Sequence, residues 1–181
     1  MDKFKGKYRV PSARWQTWDY GSNAAYFVTI CTADRAPYFG AIAAGQMVLT
    51  PVGHAAWDCW HQIPAHFPFV VFDEFVVMPN HVHGIVVIDK PDGGAAIVVE
   101  TQNFASLPSQ HNRFGPQSQN LASIVRGFKI GVTKFARQHN IPFAWQARYH
   151  DHVIRNAGEH DRIRRYIVDN PQKWAADTFH V

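Results

Sequence analysis

A chain of 181 residues suits one domain with a sizeable hydrophobic core. With 46% hydrophobic residues and no apolar run near the ~20 residues that span a bilayer, it reads as a folded cytoplasmic protein with no membrane partner; MDKFKGKYRV also lacks the apolar stretch of a signal peptide. The net charge of +4 favours polyanionic partners, nucleic acid above all.

The two cysteines, Cys31 and Cys59, stand far apart and make neither a zinc site nor an expected disulfide. Eleven histidines, in contrast, invite a search for metal or proton chemistry.

Residues 1–20 mix Arg, Lys and aromatics without a period and read as an N-terminal arm. Residues 25–32, AYFVTICT, form a buried strand, and 46–50, QMVLT, a short second one. Pro51 opens a helix carrying Trp57 and Trp60, which Pro64 ends or kinks. Two strong strands follow at 69–78 and 81–89, joined at Pro79-Asn80 as a hairpin. Residues 90–119 are rich in Gly, Pro, Ser, Gln and Asn and read as a long flexible loop.

Residues 120–138 carry Leu121, Ile124, Val125, Phe128, Val132 and Phe135 on one helical face. An extended stretch at 145–154 precedes a final helix begun by Asn156 and Glu159, a capping-box pattern. Without repeats or a second core, this is a single α+β domain over 1–181. Its helices are expected on one face of a mainly antiparallel sheet.

Three groups of residues offer chemistry. His81-Val82-His83 opens a strand, and alternation points both imidazoles to one face, where they can share a divalent ion. The alternative is a polar sheet face with two solvated histidines. On the last helix, Tyr166 and Asn170 are one turn apart at the edge of the Ile163/Ile167 stripe. A margin tyrosine and a helix-ending asparagine before Pro171 would look the same. The cluster Tyr149-His150-Asp151-His152 places Tyr149 and Asp151 on one face and the histidines on the other, as a local network or a second metal site.

MPNHVHG at 78–84 followed some eighty residues later by YIVDNP at 166–171 resembles the REP-associated tyrosine transposases, relatives of the HUH single-strand transposases. YFVTICTADR, FAWQARYHDHVIRN and RIRRYIVDNPQKWAAD extend the resemblance through most of the chain. It implies a ferredoxin-like or RRM-like sheet, with Mg²⁺ or Mn²⁺ held by His81, His83 and Asn170. It also implies a Tyr166 nucleophile that cleaves and transfers single-stranded DNA through a 5′-phosphotyrosine, at REP-like hairpins. Tyr149 is the rival nucleophile.

DNA contacts are expected from Arg126, Lys129, Lys134, Arg148, Arg155, Arg162 and Arg165, together with Arg137 and Arg164. The aromatics Tyr8, Trp15, Trp18 and Tyr20 would stack on unpaired bases or else cover the sheet. Two other readings are a hydrolase that uses water and a non-catalytic hairpin binder. Monomer and homodimer are both compatible with the sequence.

Overall fold

The computed structural model describes residues 17–91 and 118–180; most of the arm, with Tyr8 and Trp15, and nearly all of the 90–119 loop lie outside them. Strands β1 (Ala24–Cys31), β4 (Val70–Met78), β5 (His81–Ile88) and β6 (His150–Ile154) form one sheet in the order β4-β5-β1-β6. All three pairings are antiparallel. Helices α1 (Pro51–His61) and α3 (Leu121–Gln138) cross between them, which is the split β-α-β-β-α-β pattern of ferredoxin-like and RRM-like sheets. Strands β2 (Gly40–Ala43) and β3 (Gln46–Leu49) form a small hairpin inserted between β1 and α1. A short α2 (Ile63–His66) follows α1, and α4 (Ala157–Asp169) comes last.

Strand alternation sorts the core into two layers. Tyr26, Val28, Ile30, Val82, Val86 and Ile88 face α1 and α3, meeting Trp60, Ile124, Phe128 and Val132. Ala25, Phe27, Ile85 and Val87 face the other way, against Ile163 and Ile167 of α4. Helices therefore cover both faces, correcting the one-face expectation. β6 is an edge strand, so the chain returning from it as α4 packs back over the face that α1 and α3 leave free.

Local chemistry explains the boundaries. Thr50 caps α1 through Gly53 N, with Pro51 in the first turn. Asn120 and Ser123 close a reciprocal capping box on α3. At α4, Asn156 accepts from Glu159 N, while the Glu159 carboxylate reaches back to Arg155 N, one residue earlier than a capping box requires. Trp18 and Tyr20 cover the sheet, Trp18 donating to the Tyr26 hydroxyl at 3.1 Å and Tyr20 stacking on the Tyr26 ring.

Candidate active site

The histidine pair belongs to the α4 face of the sheet. In the register His83 lies opposite Thr29 and His81 opposite Cys31, at the end of the central strands. Both imidazoles are anchored through Nδ1. His81 Nδ1 is 2.8 Å from Asn80 Oδ1, so Nδ1 carries the proton and donates it. His83 Nδ1 is 2.8 Å from the Thr29 hydroxyl. These contacts aim the two Nε2 atoms at one another, 3.0 Å apart.

Burial controls their charge. His81 is 0% and His83 1% exposed. Loss of solvent holds the His81 pKa down at about 4, the Asp177 carboxylate opposing and Arg35 assisting. His83 is pushed well below the usual range, by burial first and by His81 second. Both are neutral at physiological pH, the state that a metal ligand needs.

Helix α4 brings Tyr166 to the same spot. Its hydroxyl lies 3.2 Å from His83 Nε2, and its ring meets Phe27 edge-on. Tyr166 remains 41% exposed, so incoming substrate can reach it. Partial burial and the Asp177 charge raise its pKa, while the Asn170 amide, donating to the phenol oxygen, lowers it. One turn beyond, Asn170 is 2% exposed and its Oδ1 has no hydrogen-bond partner. A buried carbonyl oxygen without a donor is a ready ligand for a hard cation.

Asp177, which no sequence pattern singles out, completes the group. One ligand atom each from His81, His83 and Asp177 lie within 4.8 Å of one another. Among the described residues no other set of three His, Cys, Asp or Glu side chains gathers in this way. Two ligand atoms at right angles about a cation, each ~2.1 Å away, are ~3.0 Å apart. The Nε2 pair and the Asp177 carboxylate are therefore close enough together to fit a divalent ion.

The segment after α4 folds over the pair. The Phe179 ring lies 4.6 Å from His81 and 5.9 Å from His83, and Trp174 lies 6.0 Å from His81. Asn80 Nδ2 donates to Phe179 O at 2.8 Å, Arg35 donates to Thr178 O at 3.0 Å, and Phe179 N donates to Asp177 at 2.7 Å.

The other expected residues disperse. Tyr149 packs into the core on the α1–α3 side, across the sheet from the pair. His150 and His152 lie opposite Thr29 and Phe27, and His152 pairs with Glu159 at 2.8 Å, so the four-residue cluster divides between the two faces. Arg126, Lys134 and Arg137 are exposed on α3, in the layer remote from the site. Lys129 donates to the Gln146 and Arg148 carbonyls at 2.8 and 3.0 Å, with Trp145 beside it, which ties α3 to the segment before β6. Arg148 is exposed just before β6. On the α4 side, Arg155 follows β6, Arg162 lies 3.5 Å from Glu159, and Arg165 donates to Asp161 O. Arg164 is engaged by β4.

No protein-family model matches the chain. A Haemophilus influenzae protein described only as uncharacterized is 39% identical over 177 residues, covering 97% of this chain and 96% of that relative. A second H. influenzae protein, provisionally named a REP-associated tyrosine transposase, is 25% identical over 171 residues, covering 90% and 83%. A solved structure of a REP-associated tyrosine transposase bound to a REP hairpin shares the fold. Its TM-score is 0.59 at 18% identity, over 92% of this chain and 74% of that one.

Proposed function

Because the chain belongs to the REP-associated tyrosine transposases, we propose that it cuts and rejoins single-stranded DNA beside hairpins, with Tyr166 as nucleophile. At the coarser level it is a DNA-processing enzyme of transposition. One observation carries the finer reading. The Tyr166 hydroxyl stands 3.2 Å from His83 Nε2, which itself faces His81 Nε2 at 3.0 Å. No helix among the described residues is long and apolar enough to cross a membrane.

His81 and His83, with Asp177 and Asn170 as the oxygen donors, would hold Mg²⁺ or Mn²⁺. Such an ion supplies Lewis-acid polarisation of a phosphate. The chain's own residues do the rest. Asn80 and Thr29 hold the two rings with both Nε2 atoms directed inward. Asn170 stabilises the phenolate of Tyr166 by donating to its oxygen, against the burial and the Asp177 charge that favour the phenol. In-line attack by the Tyr166 oxygen forms a P–O bond and breaks the bond from phosphorus to the 3′-oxygen. The products are a 5′-phosphotyrosine and a free 3′-hydroxyl. The reverse attack by a 3′-hydroxyl rejoins the strand without ATP.

Arg148, Arg155, Arg162 and Arg165 are the phosphate contacts of this reading. Arg126 and Lys134 face away from the site, and Lys129 is engaged by carbonyls.

The test is a denaturing gel of protein incubated with Mn²⁺ and labelled hairpin DNA carrying single-stranded flanks. A covalent protein–DNA band is expected from the wild type and from Tyr149→Phe, and none from Tyr166→Phe. A band that survives Tyr166→Phe, or no band with any of several hairpins, overturns the reading. Turnover to free ends that survives Tyr166→Phe identifies a hydrolase using water.

A further inference from the structure

We propose that Asp73 and Glu74 set the position of Tyr166 by clamping α4 to β4 through Arg164, an inference that rests on the tyrosine-nucleophile reading above. The need for a clamp follows from how α4 docks. Only Ile163 and Ile167 of the helix are buried, against Ala25, Ile85 and Ile154. Apolar contact is non-directional, so two isoleucines hold a helix to a sheet without fixing its rotation or its slide. Tyr166 lies on the margin of that contact, where a small rotation moves its hydroxyl furthest.

Strand β4 supplies the missing direction. Its pairing with β5 is regular up to Phe72↔Val86 and resumes at Phe75↔Gly84. β4 thus advances three residues while β5 advances two, an inserted residue of the kind that re-aims side chains. Alternation breaks here, and the consecutive carboxylates of Asp73 and Glu74 both reach α4. Arg164 bridges them: Nε lies 3.1 Å from Asp73 Oδ1 and Nη2 2.9 Å from Glu74 Oε1. One turn earlier, His160 Nε2 lies 2.7 Å from the other oxygen of Asp73. A planar guanidinium held at two of its edges, with a second contact one turn away, fixes both rotation and translation of the helix.

These side chains are too wet to matter much for stability. Arg164 is 45% exposed, Glu74 32% and Asp73 22%, and ion pairs in that range contribute little to folding. What they contribute is direction. Arg164 precedes Tyr166 by two residues, so loss of the clamp is felt first at the hydroxyl beside His83. The three act as positioning residues and touch no substrate.

The experiment uses the metal-free full chain labelled with ¹⁵N-histidine. The His83 imidazole resonances report its contact with the Tyr166 hydroxyl, and Tyr166→Phe defines the signal when that contact is gone. Arg164→Ala is expected to move the His83 signals toward those of Tyr166→Phe, with the thermal midpoint nearly unchanged. Asp73→Asn combined with Glu74→Gln removes the clamp without altering α4 and should give the same displacement, while Arg164→Lys, which keeps the charge and loses the fork, should recover only part of it. In the covalent-band assay the rate should fall about 100-fold in Arg164→Ala, the order expected for a misplacement near 1 Å, with hairpin affinity retained. Folded variants whose His83 signals stay at the wild-type position overturn the proposal. A wild type that forms no band counts against the tyrosine reading instead, and the imidazole resonances still decide the clamp.

Discussion

His81 and His83 meet as neutral rings, and their neutrality has a thermodynamic signature. The His81 pKa falls from 6.5 to about 4 on folding, so the unfolded chain binds the proton more readily than the folded one. Its contribution to stability is complete above pH ~6.5. It is lost as pH falls from there through about 4, which for this one residue amounts to about 3 kcal/mol. His83, lowered further, acts in the same direction. Thermal midpoints should therefore drop from pH 7 to pH 4, and more shallowly in His81→Gln. Mn²⁺ is expected to raise the wild-type midpoint, and either His81→Ala or His83→Ala should abolish that rise. A wild-type midpoint that ignores both pH and Mn²⁺ would contradict the arrangement. Much of this site was legible in the sequence. The strand and helix periods place both imidazoles on one face and Tyr166 one turn before Asn170, but each pattern also fitted a bland reading, and only the family resemblance joined them into one site. Asp177 was not legible, because it lies beyond Pro171 in a segment with no period, and its place depends on a chain reversal that no local rule encodes.

Most elements appear where their patterning places them, the four-residue β3 included, whereas β2 and the start of β6 do not. β4, β5 and α3 match their expected spans to within a residue. β2 is invisible in the sequence because GAIA is too short to show a period and begins at Gly40, whose φ is +143°. The stretch read as extended over 145–154 is strand only from His150, with Trp145 contributing a single bridge to Thr32. The side that α4 takes was hidden too, since its stripe of Ile163 and Ile167 says that a face is buried but not against which layer. At this scale Gly84 is a sharp test. Across the strand from His83, it lies flat beneath the Trp60 indole, and a β-carbon there would stand 2.4 Å from the ring. Trp60 is buried and stacked on Phe75, so it has nowhere to retreat. Gly84→Ala should cost about 1–3 kcal/mol, read as a fall of several degrees in the thermal midpoint. Lys129→Ala should also destabilise modestly, because it removes two hydrogen bonds that tie α3 to the segment before β6. Arg126→Ala, on the exposed side of the same helix, should be close to neutral.

Seen whole, the molecule has a structural face and a chemical face. α1 and α3 bury most of the core on one side of the sheet, and the other side carries one helix, the histidine pair and the α4-side arginines. That division predicts how binding responds to salt. Replacing Arg162 or Arg165 by Ala should reduce the slope of log affinity against log salt by about 0.7–0.9 each for hairpin DNA. The pair Arg126→Ala and Lys134→Ala should leave the slope unchanged; equal effects from both sets would remove the two-faced picture.

The segment at 174–180 gives the pair a measurable clock. With His81 and His83 at 0% and 1% exposure beneath Phe179 and Trp174, an imidazole-acylating reagent reaches exposed rings such as His54 at once. It reaches these two only during openings. Their acylation half-time, measured by mass spectrometry against that of His54, reports how often the aromatic cover lifts, and Phe179→Ala should shorten it while leaving the His54 half-time as it was.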